Sequence, residues 1–214
     1  MTAERAFENI GKWLPAPEEC DGIFDIPVIA PVYKLEPVKK WDRFCWSVNH
    51  HPDSETGVMF FEDDFKFLRI WNNPDLYIPM LKKAAAVTAP DFSMYTDMPK
   101  IMQIYNHYRK HWMAAYWQDR DITVIPNIGW STKDSLEWCF DGEPEGGIVA
   151  VSSIGTQRQG EEARKLFRYG YDAMMERLHP ETILFWGAIP KGLKGNICPV
   201  ELFYDYGKHG KKGE

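Results

Sequence analysis

The chain has 214 residues, 44% of them hydrophobic, and a formal net charge of −6. That length suits one large domain, or one domain with an extra arm, and the apolar content can fill a sizeable core, which argues against disorder over most of the chain. The acidic balance, with a pI near 5.6, argues against a protein that coats nucleic acid through bulk charge, while leaving room for a local basic groove.

Residues 1–55 stand apart. Pro15, Pro17, Pro27, Pro31, Pro37 and Pro52 interrupt any regular element, so this stretch is expected to be an N-terminal arm packed on the core. Arg43–Val48 can form one more strand within it. The N-terminus has no apolar signal core and no run is long enough to span a membrane, so a soluble, cytoplasmic protein is expected. Cys20, Cys45, Cys139 and Cys198 are dispersed and form no C-x-x-C pair, so no zinc site is expected and the thiols are read as reduced.

From Gly57 a strand–helix alternation begins over 56–205. Strand markers Val58, Val87, Val124, Val149 and Leu184 are 29, 37, 25 and 35 residues apart, the length of βα units with their loops. The strands are continuous apolar runs, as expected when both faces are covered. In a parallel sheet all strand C-termini share one edge, where ligands bind, so the residues just past each strand are the first place to look for function.

The first strand, Val58–Phe61, runs into Glu62-Asp63-Asp64. Three carboxylates there can hold Mg²⁺ or supply an acid of raised pKa, with Asp63 and Asp64 as catalytic candidates. The plainer alternative is that one of them caps a helix starting near Phe65. The second strand, Ala86–Ala89, leads to Asp91 and Ser93. Asp91 can act as nucleophile or general base, or form an Asx-turn after Pro90. A helix over 99–118 follows, with Asp97 as its cap and an apolar stripe of Ile101, Tyr105, Tyr108, Trp112 and Ala115. His107 and His111 are four apart, a metal-compatible spacing, but fall on its polar side and are read as a solvated surface.

The third strand, Ile122–Ile125, leads to Asn127, suited to an amide edge or nucleobase, and to Trp130, which can stack on a ring or pack in a tight turn. Ser131–Asp134 resembles a capping box opening a short helix through Phe140. The fourth strand, Ile148–Val151, leads to Ser152 and Ser153, then Gly155 and Arg158; small hydroxyls, a glycine and an arginine at a helix start can hold an anion. A helix over 160–178 and the fifth strand, Ile183–Trp186, ending at Gly187, come next. A sixth strand is expected near Cys198–Tyr204, and residues 206–214 form a basic tail read as a frayed terminus.

Several strings carry a resemblance: Phe61–Phe67 with Ile70–Pro74, Pro90–Pro99, Ala115–Gln118, Val124–Trp130 and Val149–Gly155. Across roughly residues 40–200 the chain resembles the family catalogued as domain of unknown function 4417. That likeness implies a phage or mobile-element setting and no particular reaction. A second likeness joins Val124–Trp130, Asp134, Val149–Gly155 and Arg158, which look like the middle of phage-type barrels related to tRNA-guanine transglycosylases. It implies a catalytic role for Asp91 and a base pocket lined by Asn127, Ser152 and Ser153. Against it, Pro90-Asp91-Phe92-Ser93 lacks the glycines of that family and no zinc-binding cysteine cluster is present.

The expected fold is α/β: a mostly parallel sheet of five to six βα units, either an incomplete or closed TIM-like barrel or an open doubly wound sheet. Three functional readings stay open. One is an enzyme acting on a nucleobase, nucleotide or nucleic acid, with Asp91, Asp63 and Asp64 as its carboxylates and Asn127, Trp130, Ser152, Ser153 and Arg158 binding. Another is a non-enzymatic protein that engages a host or element protein. The last is a divalent-metal phosphoesterase, with Mg²⁺ as cofactor.

Overall fold

The computed structural model describes residues 19–35, 38–44, 52–157 and 159–201. His50, His51, Arg158, the basic tail and the expected strand beyond Phe44 lie outside them. Two short strands, β1 (Cys20–Asp21) and β2 (Ile26–Pro27), pair antiparallel. The chain then enters β3 (Lys40–Arg43), which lies parallel to β4 (Thr56–Met59) with Arg43 opposite Met59. Part of the expected arm is therefore a strand of the main sheet.

The helix α1 (Asp64–Asn72) starts directly after Asp63, followed by a 3₁₀ turn at Pro74–Tyr77 and the short α2 (Ile78–Leu81). Next come β5 (Ala86–Thr88), the long α3 (Lys100–Gln118) and β6 (Val124–Ile125). Thr132 precedes a 3₁₀ helix, Lys133–Glu137, which stops short of the helix expected through Phe140. The chain closes with β7 (Ile148–Ser152), α4 (Glu161–Leu178), β8 (Thr182–Trp186) and β9 (Ile197–Pro199). Glu161 and Glu162 in the first turn of α4 and Arg177 in its last turn complement the helix dipole.

The fold is mixed α/β. β3, β4, β5 and β6 form a four-stranded parallel sheet, and β7, β8 and β9 a three-stranded parallel one. A parallel bridge between Asn127 and Ala150 joins them, so the strands run in chain order. Among the described residues no ladder joins β3 to β9, and no closed barrel forms.

Each strand alternates between two packing partners, as its pleat requires. Val58, Phe60, Val87 and Val124 face α1 and α3, where Phe60 stacks on Phe44 at 4.6 Å and lies 5.2 Å from Trp117. Val149, Val151, Ile183 and Phe185 face α4 around Phe167, Tyr171 and Met174. The opposite faces supply Trp41, Met59, Ala86, Ile125, Ala150, Leu184 and Trp186 to a third cluster, which draws on strands and loops alone. Trp41 lies flat on Gly57, where a Cβ would come within 2.3 Å of the indole.

The long helix departs from its expected register. Ile101 and Tyr105 of the apolar stripe are exposed, while Gln103, Asn106, His107, Lys110 and His111 are buried beside Met113, Ala114 and Trp117. The expected solvated histidine pair is therefore corrected: His107 is 1% exposed and His111 0%. Burial is tolerated because each of these polar side chains makes at least one hydrogen bond. Gln103 donates to the Tyr95 and Met98 carbonyls, Asn106 to the Ser93 carbonyl, and the histidines bond to backbone carbonyls. Nor does Asp97 cap α3, whose N-cap position is Pro99.

Candidate functional site

Above the C-terminal ends of the parallel strands lies a cavity of about 420 Å³. Its wall takes Arg43 from the end of β3, Phe61 to Asp63 after β4, and Lys66 from α1. Asp91 to Tyr95 after β5, Asn127 to Trp130 after β6, and Ser152 with Ile154 to Thr156 at the end of β7 complete it, with Phe167 of α4 behind. The parallel register brings these tips together: each ends its strand at nearly the same height, so five separate loops meet around one space.

Asp91 is the most perturbed group on this wall. Its carboxylate accepts a hydrogen bond from Asn127 Nδ2 at 2.9 Å. Burial pushes its pKa up to about 6, against the pull of Asn127 and of the Lys110 ammonium behind it. Only part of the residue is open to solvent, on the cavity side. Asn127 is in turn held from behind, since Lys110 Nζ donates to its carbonyl at 2.9 Å. The Asn127 Oδ1 atom is buried and has no hydrogen-bond partner among the described residues.

Across the cavity the charge is arranged differently. Arg43 pairs with Glu62 at 2.9 Å, and Lys66 bonds both Glu62 and Asp63, the latter at 3.2 Å. Glu62 is nearly buried between its two cations. Arg43 also lies 5.7 Å from the Trp186 ring centroid. Trp130 leans on Phe167 at 5.3 Å and on Gly170, where a Cβ would come 2.3 Å from the indole. A small residue in the middle of α4 thus seats the indole at the cavity edge.

Of the residues singled out in the sequence, Asp91, Asp63, Asn127, Trp130 and Ser152 line this cavity. Asp64 does not. Its carboxylate accepts from the Ser93 amide at 3.2 Å and the Ser93 hydroxyl at 2.8 Å, tying α1 to the loop after β5. Ser153 is turned away and donates to the Ala188 carbonyl at 2.8 Å. Asp63 occupies the N-cap position of α1 without a side-chain cap bond. Glu62, Asp63, Asp64 and Asp91, the carboxylates a divalent-metal phosphoesterase would use, therefore each have a protein partner, and among the described residues they form no convergent ligand group.

Sequence reasoning missed Arg43 and Lys66. Arg43 ends a strand as the other tips do, but it was expected to open one, Arg43–Val48, within the proline-interrupted arm, so it was not counted as a tip. Lys66 lies two residues into α1, one turn from Glu62, a spacing that favours the pair.

The model of the family described as "Domain of unknown function (DUF4417)" matches residues 18–205. The chain belongs to this family. DUF4417 relatives include the "Gene 1 protein" of Mycobacterium phage L5, 39% identical over 149 residues, which cover 68% of this chain and 65% of the relative. The "Gene 1 protein" of Mycobacterium phage D29 is 36% identical over 166 residues, covering 76% of this chain and 61% of the relative. The chain thus spans less than two thirds of the length of these curated relatives. No solved structure matches it. Nothing in these matches supports the likeness to tRNA-guanine transglycosylases. The matched DUF4417 region contains every described tip of the cavity wall. No helix among the described residues is long and apolar enough to cross a membrane.

Proposed function

We propose that this DUF4417 protein is an enzyme in which Asp91 acts as general acid–base on a small, polar, ring-bearing ligand of the nucleobase or nucleotide class. The observation that carries this reading is a carboxylate with a pKa near 6, oriented by Asn127, in the wall of a cavity of about 420 Å³. Small-ligand sites span roughly 300–1,000 Å³, and an acid–base works best with a pKa close to the working pH. Around neutral pH most Asp91 is ionised and can take a proton, then return it to the leaving atom. Trp130 offers a ring face, and on the opposite wall Arg43 and Lys66 offer N–H donors that an anionic group such as phosphate would share with Glu62 and Asp63. The chain-order parallel strands, with one face gathered into a strand-only cluster, favour an incomplete TIM-like barrel over an open doubly wound sheet.

A panel of nucleobases, nucleosides and nucleotides, screened by thermal shift, tests the ligand class. At least one compound should raise the Tm of the wild type, and Trp130→Ala should abolish the rise. The rate of any turnover found should inflect near pH 6 and collapse in Asp91→Asn. A panel without effect on the wild type, or a ligand bound equally well by Trp130→Ala, would defeat the assignment.

A second reading, a protein that engages a partner protein, draws on Phe65 and Leu68 of α1 and on Ile101 and Tyr105 of α3, all exposed. Replacing Ile101 and Tyr105 by serine would then abolish partner binding while leaving the cavity ligand unaffected.

A further inference from the structure

Behind Asn127, and apart from the cavity wall, three lone-pair-bearing groups converge inside the protein. His107 and His111 lie one turn apart on α3, and Glu143 comes from the turn that follows Phe140. One ligand atom from each lies within 4.8 Å of the others. Both rings are oriented from their far side. His111 Nδ1 faces the Pro27 carbonyl at 2.9 Å, and His107 Nε2 faces the Asp141 carbonyl at 3.0 Å. A carbonyl can only accept, so His107 carries its proton on Nε2 and presents the Nδ1 lone pair; both His111 nitrogens face acceptors, so an ion bound at its Nε2 would take the place of a proton shared with Glu143.

A buried carboxylate lies beside these nitrogens. His111 Nε2 lies 3.1 Å from Glu143 Oε1. His107 Nδ1 and Glu143 Oε2 are buried with no hydrogen-bond partner among the described residues. The rings are 4.4 Å apart, and the side chains of His111 and Glu143 have no solvent exposure. An unpartnered nitrogen lone pair buried beside a carboxylate is unfavourable unless something positive lies between them. Lys110 supplies positive charge to Glu143 Oε1 alone. It makes no hydrogen bond to His107 Nδ1 or Glu143 Oε2.

The surrounding backbone is built close to this point. Gly142 has φ +75°, and a Cβ there would come 2.8 Å from His111 Nδ1 and 2.6 Å from the Pro27 carbonyl. The Asp141–Glu143 turn thereby delivers both the carbonyl that orients His107 and the Glu143 carboxylate. Metal-bound histidines characteristically donate their second nitrogen to a carbonyl, and metal-bound carboxylates are themselves hydrogen-bonded on the free oxygen. Here Pro27, Asp141 and Lys110 fill those outer positions.

We propose that His107, His111 and Glu143 form a buried three-ligand site for one divalent first-row transition ion, its fourth position left to a water, with zinc the ion best suited to two imidazoles and a carboxylate. The ion would pin α3 to the Asp141–Glu143 turn, while β2 is held to His111 through the Pro27 carbonyl. Because no ligand atom opens to the cavity, the ion has no part in the acid–base chemistry assigned to Asp91, and the two proposals stand or fall separately.

Elemental analysis of the full chain, purified without a metal-affinity tag, should find close to one zinc or related ion per chain. After stripping with chelator, added Co²⁺ should produce visible d–d bands, and Zn²⁺ should raise the Tm. His107→Ala and Glu143→Gln should each lose the metal and the Tm rise. Should either variant fail to fold, the wild-type stoichiometry and cobalt spectrum still decide. A wild type that carries no metal and shows neither cobalt bands nor a Tm rise would overturn the site, leaving a shared proton among the three groups. Metal retained at full stoichiometry in folded His107→Ala would overturn it equally, by placing the ion elsewhere.

Discussion

At the scale of single residues, Asp91 concentrates the tension between stability and function. Its carboxyl ordinarily titrates at 3.8, and burial raises it to about 6 in the native state. The native protein therefore holds more protons than the unfolded chain between those values, so Asp91's contribution to stability is greatest below about pH 4. That contribution is lost as pH rises through about 6 and stays lost above it. Asp91→Asn should remove this slope: the Tm gap between variant and wild type should move in the variant's favour from pH 4 to pH 6 and then hold constant. A parallel pair of Tm–pH curves would mean that Asp91 is not desolvated. The tension is the familiar cost of keeping an ionisable group poised near neutrality.

At the scale of the element, α3 shows what a pattern can hide. Its apolar residues fit a stripe through Ile101 and Tyr105, yet the buried side is Ile104, His107, His111 and Met113. The two sides compete because the protein buries a set of polar side chains whose partners are distant in sequence: Ser93, Asn127, Asp141, Glu143 and Pro27. Local periodicity carries no information about such partners. The difference is measurable. Met113→Ala should cost about 2–5 kcal/mol, the price of a buried large-to-small change, while Ile101→Ala should stay within about 0.5 kcal/mol in urea denaturation. Equal effects would restore the expected register.

The five apolar strands were legible because parallel strands covered on both faces are continuous apolar runs. Their tips followed from the same fact, which is why Asp91, Asn127, Trp130 and Ser152 could be named before their geometry was known. β3 was misplaced by three residues, inside a stretch interrupted by prolines, and Arg43 was therefore read as a strand start rather than a tip. The roles of Asp64 and Ser153 were illegible for another reason: a short polar side chain at a strand tip can turn toward the cavity or toward a neighbouring loop, and only the packing decides.

At the scale of the whole molecule, the two parallel sheets present one face of every strand to a common interior. Trp41, on the first strand of the main sheet, shares that cluster with Leu184 and Trp186 near its other end. It also lies over Gly57. Trp41→Ala should cost about 3–5 kcal/mol, as loss of a large buried aromatic does. The same change should weaken binding of any anionic cavity ligand, because Arg43 follows two residues later on the same side of the strand and leans on Trp186. Loss of stability with undiminished ligand affinity would show that the interior does not position Arg43.

The bridge between Asn127 and Ala150 has a consequence for how occupancy could be observed. The sheets meet through the Ala150 amide on the Pro126 carbonyl at 2.7 Å and the Ile128 amide on the Ala150 carbonyl at 2.9 Å. The same stretch of backbone presents Asn127 and Trp130 to the cavity, so a molecule held there straddles the seam. Local opening at such a junction governs how fast its amide hydrogens are replaced by deuterium. Ligand bound between Asp91 and Trp130 should slow exchange at Ala150 and Ile128 more than at the flanking strands, making two backbone protons a gauge of whether the cavity is filled.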